Sequence, residues 1–250
     1  MLEQRKKEGL LILTFSNPKA NCLSPELITE FSQVLVKCNN DWKNSGNPAS
    51  IMISAEGEGV FSSGADLSVY RERDEQGIRE YLISLGNLLI DLLKFPLPVI
   101  TTINGLAVGG SLGLLAASDY VIASSKAEFR LPELSLGLAP SVISPFLLLR
   151  IGSGFLRSLS FSGEVFDADW GYYSGLVSEK IVASDSIEFN MKVEGKALKI
   201  AGRKQDPVSG LKAILCSNAD KLPEIVENYA AINAKNIIIA KNNGYFSKKG

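Results

Sequence analysis

Short apolar runs alternate with stretches of helical character along the first two-thirds of this chain, and that alternation limits its fold more than any other feature. Residues 10–15 (LLILTF), 50–54 (SIMIS), 99–103 (VITTI) and 120–123 (YVIA) are brief and uncharged, and each reads as a strand. Asn17-Pro18 closes the first run as a turn. Ser24-Pro25-Glu26 then reads as a helix start, with Ser24 as N-cap and proline at the first helical position. Leu27, Phe31, Leu35 and Cys38 carry one apolar face onward at helical spacing. A charged segment, 70–80, leads to a helix whose stripe is Leu82, Leu85, Leu89 and Leu92-Leu93; Phe95-Pro96-Leu97-Pro98 ends it. The expected class is α/β.

After about residue 185 strand signals become few and Lys, Asn and Ala frequent. The expectation is an α/β core over 1–190 followed by a helical C-terminal region over 191–250. Residues 222–240 read as helical, and 241–250 as a frayed end.

The 250 residues suffice to bury a core. A net charge of −1 gives no electrostatic reason to expect nucleic acid or an anionic membrane as partner. Residues 1–8 are charged and no long apolar region follows, so no secretory signal is expected. Residues 95–118 lack charge over a length that could span a bilayer, but Pro96, Pro98, Asn104 and four glycines interrupt them. A soluble, cytoplasmic protein is expected. Cys22, Cys38 and Cys216 show no metal-ligand spacing and suit a reducing compartment, so no metal site is expected.

The chain has no histidine. Every mechanism that needs imidazole is thereby excluded, including Ser-His-Asp triads and His-ligated metals. Acid/base chemistry near neutral pH falls to carboxylates, Lys, Tyr, Cys or the backbone.

Three segments could carry such chemistry. The first is 60–67 (VFSSGADL); the second is 104–113 (NGLAVGGSLG), joining a strand to a helix. Backbone amides at a helix start have no intrahelical partner, and Gly109-Gly110 lets a ligand come close. Gly105, Gly109 and Gly113 read equally well as allowing tight helix packing. The second segment lacks the spacing of a nucleotide phosphate loop. It suits one developing negative charge, such as a thioester oxygen becoming an enolate; losing one of two donor amides there typically costs about a hundredfold or more in rate. The third segment, 127–140 (AEFRLPELSLGLAP), sets Glu133 among apolar residues after a proline. Such a carboxylate either forms a structural salt bridge or cap, or is desolvated and raised in pKa toward proton transfer.

In order and local sequence these segments resemble the crotonase, or enoyl-CoA hydratase/isomerase, superfamily. Residues 61–67 (FSSGADL) are similar to its F-x-x-G-A-D-[LI] segment, 103–110 to its [VI]-x-G-x-A-x-G-G segment, and Pro132-Glu133 with 136–140 (LGLAP) to its P-E-x-x-x-G-L-x-P segment. Asn17-Pro18-Lys19-Ala20-Asn21, Ser118-Asp119, Phe161-Ser162-Gly163, Asp167-Ala168 and Gly175-Leu176-Val177 extend the resemblance over about 8–185. It implies a spiral of ββα units, a helical tail used in homotrimers or hexamers, and an acyl-CoA thioester substrate. No cofactor is implied, since coenzyme A is part of that substrate. Ala65 and Gly110 would donate the two oxyanion-hole amides, and Glu133 would move protons. Ser63, Asp66, Leu67 and Gly109 would border the substrate, and Lys19 would meet the adenine or phosphates of coenzyme A. Ser141 stands where a glycine amide often touches the reacting water.

One departure bears on the reaction. The family's hydratases usually carry a further glutamate one turn into the helix after the glycine pair, and here that position is Gly113. The resemblance therefore leaves three readings: a hydratase or dehydratase in which Glu133 does both proton transfers, a Δ3,Δ2-enoyl-CoA isomerase with Glu133 as sole acid/base, and a non-catalytic acyl-CoA binder. Gly113→Glu tests the departure: a large gain in hydration would show that the missing carboxylate is limiting.

Overall fold

The computed structural model describes residues 1–246. The chain begins with strands β1 (Leu2–Lys7) and β2 (Leu10–Phe15) and helix α1 (Pro25–Ser45). Next come β3 (Ser50–Ala55), β4 (Gly59–Ser62), α2 (Leu67–Glu72) and α3 (Glu75–Lys94). They are followed by β5 (Val99–Ile103), β6 (Gly105–Val108), α4 (Ser111–Ala116), β7 (Tyr120–Ser124) and β8 (Glu128–Arg130). A 3-10 turn, Glu133–Leu136, precedes α5 (Ser144–Ser162), which is interrupted at Gly152, and a second, Ser217–Lys221, lies between the last two helices. The remainder is β9 (Val165–Asp167), α6 (Ala168–Tyr173), β10 (Glu179–Ile181), α7 (Ser186–Ala201), α8 (Gln205–Leu215) and α9 (Leu222–Asn242).

The strands form two sheets, ordered β1-β2-β3-β5-β7-β10 and β4-β6-β8-β9. In three successive places a strand of the large sheet is followed at once by one of the small sheet: β3 by β4, β5 by β6, β7 by β8. Helices return the chain to the large sheet after β4 and β6; after β8, α5 leads to β9 of the small sheet and α6 then to β10 of the large one. Within the large sheet β2, β3, β5, β7 and β10 run parallel. The result is the expected α/β spiral of ββα units. It brings the ends of β4 and β6 side by side, which is where the candidate chemistry lies.

The apolar runs are explained by burial on both faces. On one face of the large sheet Leu10, Ile12, Met52, Ile100, Ile122 and Ile181 pack against Phe189, Val193 and Ala197 of α7. The opposite face, with Leu11, Leu13, Ile51, Ile53 and Ile103, joins the main core beneath α1, α3 and α9. A division at residue 190 runs through α7, whose apolar side helps cover that first face of the sheet.

Ser24 caps α1 as expected, accepting a hydrogen bond from the Leu27 amide. Charged segment 70–80 is not a lead-in but contains the end of α2 and the start of α3, which Asp74 caps through the Gly77 amide. Charge density hides a cap, since an N-cap is itself an acidic residue. β1 was also hidden: it is an edge strand with one buried residue in six, so it carries no apolar run. The glycine-rich turn after β5 holds strand β6, and α4 begins at Ser111 with Gly110 as its cap. Segment 95–118 is thus β5, β6 and α4 in succession; among the described residues no helix is long and apolar enough to cross a membrane. Of the end expected to fray, 247–250 lies outside the described residues, and α9 extends to Asn242.

Candidate active site

Two backbone turns meet where β4 and β6 end. A methyl group on Gly64 would lie 2.4 Å from the Val108 carbonyl oxygen and 3.0 Å from the Gly110 nitrogen. Only glycine allows this approach, and its φ of +86° also favours glycine. Ser111 Oγ bonds the Val108 carbonyl at 2.8 Å and reaches the Ser62 carbonyl at 3.4 Å, tying the two turns together. The first turn is further pinned by the Leu23 amide on the Gly64 carbonyl at 2.8 Å and the Ser63 amide on the Ala20 carbonyl at 2.9 Å.

The amides of Ala65 and Gly110 remain. Among the described residues neither donates a hydrogen bond, while those of Ser63, Gly64, Asp66 and Gly109 all do. Backbone amides away from water are nearly always paired, so two left without partners in facing turns are available to one acceptor between them. Ala65 and Gly110 both border one cavity of about 190 Å³.

Glu133 borders the same cavity. The short helical turn after Pro132 positions it, closed by Gly137 in left-handed conformation and by the Leu138 amide on the Glu133 carbonyl. The residue as a whole is half-buried, but its Oε2 is closed off from solvent and has no hydrogen-bond partner among the described residues. No ion pair among the described residues involves Glu133, so a structural salt bridge does not account for it. Burial pushes its carboxyl from 4.5 up to about 7, against a smaller downward pull from its own backbone amide. Gly109 makes room for it: a methyl on Gly109 would stand 2.7 Å from Glu133 Oε1.

Ser63, Leu67, Gly109 and Ser141 also line the cavity. The Ser141 amide, expected to face a reacting water, instead donates to the Ala139 carbonyl at 2.8 Å. The tight turn after Pro140 consumes it. Asp66 and Lys19 lie outside this cavity, in an adjoining surface depression that shares Ser63, Ala65 and Leu67 with it and adds Arg71. Asp66 caps α2: Oδ1 accepts from the Ser68 amide at 2.9 Å and from Ser68 Oγ at 2.6 Å. Burial raises its carboxyl, but the bonds from Ser68 and Lys19 outweigh that and leave it below its ordinary value. Lys19 Nζ stands 3.5 Å from Asp66 Oδ2 and 3.1 Å from Ser68 Oγ.

Gly113 does not border the cavity. A Cβ there would lie 2.7 Å from Leu89 Cδ1 and 3.0 Å from Ile143 Cγ2. The place of a second glutamate is filled by core side chains, so Gly113→Glu is expected to give no gain in hydration.

Three residues at the site were not foreseen. Tyr81 donates to the Leu23 carbonyl at 2.8 Å and accepts from the Asp66 amide at 3.0 Å, holding the turn around Ala65 from inside the core. Tyr70 and Asn233 line the cavity. In sequence Tyr70 opens a charged segment while Tyr81 and Asn233 fall within helical stretches, and spacing alone does not tell a core tyrosine or asparagine from a site residue. Among the described residues no three or more carboxylate, thiol or imidazole groups gather as metal ligands would.

Residues 5–244 match the sequence family described as Enoyl-CoA hydratase/isomerase. The "Probable enoyl-CoA hydratase" of Bacillus subtilis is 34% identical over 209 residues, covering 83% of this chain and 78% of that protein. The crotonyl-CoA hydratase of Syntrophomonas wolfei is 30% identical, covering 77% of this chain and 74% of that protein. The crystal structure of an enoyl-CoA hydratase from Bacillus halodurans superposes with a TM-score of 0.88 at 22% identity, covering 99% of each chain, and speaks for the fold. Fold, sequence match and relatives thus agree: the chain belongs to the enoyl-CoA hydratase/isomerase family.

Proposed function

We propose that this protein catalyses the reversible addition of water to a 2-enoyl-CoA thioester. The thioester oxygen would sit between the Ala65 and Gly110 amides, which stabilise the enolate as charge develops on it. Glu133 in its carboxylate form would take a proton from water as the oxygen adds to Cβ, then return that proton to Cα. A carboxyl with a pKa of about 7 is suited to both halves of such a transfer at neutral pH. Lys19 and Arg71, on the depression that continues from the cavity, would meet the phosphates of coenzyme A. No further cofactor is needed for this proton chemistry.

The observation that carries the reading is the conjunction, on a single cavity, of two amides without partners and a carboxyl whose buried Oε2 has none among the described residues. One observation favours a second reading, Δ3,Δ2-enoyl-CoA isomerase: among the described residues Glu133 is the only acidic one lining the cavity, and moving a proton between carbons needs a single base. Incubation with crotonyl-CoA and with a 3-enoyl-CoA separates the two. Hydration of crotonyl-CoA is expected; turnover of the 3-enoyl thioester alone would assign the isomerase. Tight binding with no turnover of either would overturn both.

The same reading includes assembly into trimers or hexamers and a reducing, cytoplasmic setting. Free thiols at Cys22, Cys38 and Cys216 support the latter.

A further inference from the structure

Asn233 occupies a core position on α9. The buried side of that helix runs Leu222, Val226, Ala230, Asn233, Ala234, Ile237 and Ala240, a single stripe at helical spacing. An amide there is the exception. It is 5% exposed, lines the cavity, and its Oδ1 is closed to bulk solvent with no hydrogen-bond partner among the described residues. Either way round, the amide offers both a donor and an acceptor. Buried polar groups in folded proteins are almost always paired, so an orphan calls for a missing partner.

Tyr70 of α2 adds a second polar side chain to the same wall. It too is 5% exposed and lines the cavity. Its ring packs near Tyr81 and Phe246, at centroid separations of 6.1 and 5.9 Å, and it brings a phenol hydroxyl to the cavity wall. Burial, with the nearby Glu133 charge, holds its pKa above the ordinary value, so it stays a neutral donor. Much of the remaining wall is aliphatic, from Leu67, Leu82, Leu85, Leu138 and Val142 among others.

We propose that Tyr70 and Asn233 together receive a neutral hydrogen-bonding substituent, a hydroxyl or carbonyl, on the acyl chain, so that the preferred substrates are oxygen-substituted acyl thioesters rather than plain alkyl ones. A carboxylate does not fit: among the described residues neither lysine nor arginine lines the cavity, and Glu133 would oppose a second negative charge. The inference rests on the acyl-thioester reading above. Discrimination of this kind can be steep, because a plain alkyl group leaves two buried polar groups unpaired.

The test is calorimetric titration of the full chain with hexanoyl-CoA and with its 4-, 5- and 6-hydroxy forms, none of which carries an enoyl double bond. At least one hydroxy form should bind tenfold or more tighter than hexanoyl-CoA. Asn233→Leu, close in volume, should abolish that preference, and Tyr70→Phe should reduce it. Equal or tighter binding of hexanoyl-CoA than of every hydroxy form would overturn the proposal. So would a preference unchanged in both variants. If none of the four thioesters binds, the acyl-CoA reading itself fails; binding without preference sinks this inference alone.

Discussion

A carboxyl held near neutrality by burial exists as both acid and base at ordinary pH, and Glu133 is such a group. Acting as base, it should give kcat/KM for an enoyl-CoA that rises with pH through about 7 and is flat above. The same shift marks stability, with its sign fixed by proton counting. Between 4.5 and about 7 the folded protein keeps a proton that the unfolded chain has released. Stability contributed by this group therefore falls as pH rises across that window and stays constant above it. Glu133→Gln has no such proton, so the variant should gain stability relative to wild type from pH 4.5 to about 7. Urea unfolding at stepped pH checks this; a gap that does not move with pH would contradict a buried, unpaired carboxyl.

At the scale of elements, the site is made by two turns and a helix that presses on them. Gly113 lies in α4 where Leu89 of α3 and Ile143 close over it. Gly113→Glu should lower the melting temperature without raising hydration, since overpacking of this kind typically costs about 1–3 kcal/mol. Adding Leu89→Ala in the same chain should recover part of that loss; scanning calorimetry of both variants is the check. Equal melting of wild type and Gly113→Glu would contradict the packing. The helices and the doubly buried strands were legible in sequence because burial imposes periodicity and apolar runs, as at Leu27, Phe31 and Leu35 or in β5. The turns bearing Ala65 and Gly110 were legible through their glycines. β1 was not, because an edge strand needs no apolar face, nor was β6, whose four residues include a glycine. Asn233, Tyr70 and Tyr81 were hidden for another reason. Their roles depend on which cavity or turn the spiral brings opposite them, and nothing local records that.

At the scale of the whole molecule, apolar side chains are left on the outside. Leu211, Ile214 and Leu215 on α8 are 55%, 70% and 68% exposed, and Phe161 at the end of α5 is 75% exposed. Clustered apolar exposure of this sort marks association surfaces. Light scattering on the purified chain should give the mass of three or six subunits, and the mass of one subunit would contradict the proposed assembly. The central claim, that Glu133 moves the proton while the backbone amides hold the thioester oxygen, has one direct test. Turnover of an enoyl-CoA is measured at pH 8 for wild type and Glu133→Gln, with the affinity for hexanoyl-CoA determined on the same samples. A fall in kcat of about 10²–10⁴ with affinity kept within a few-fold is the predicted result. A Gln variant that turns over at the wild-type rate would contradict it.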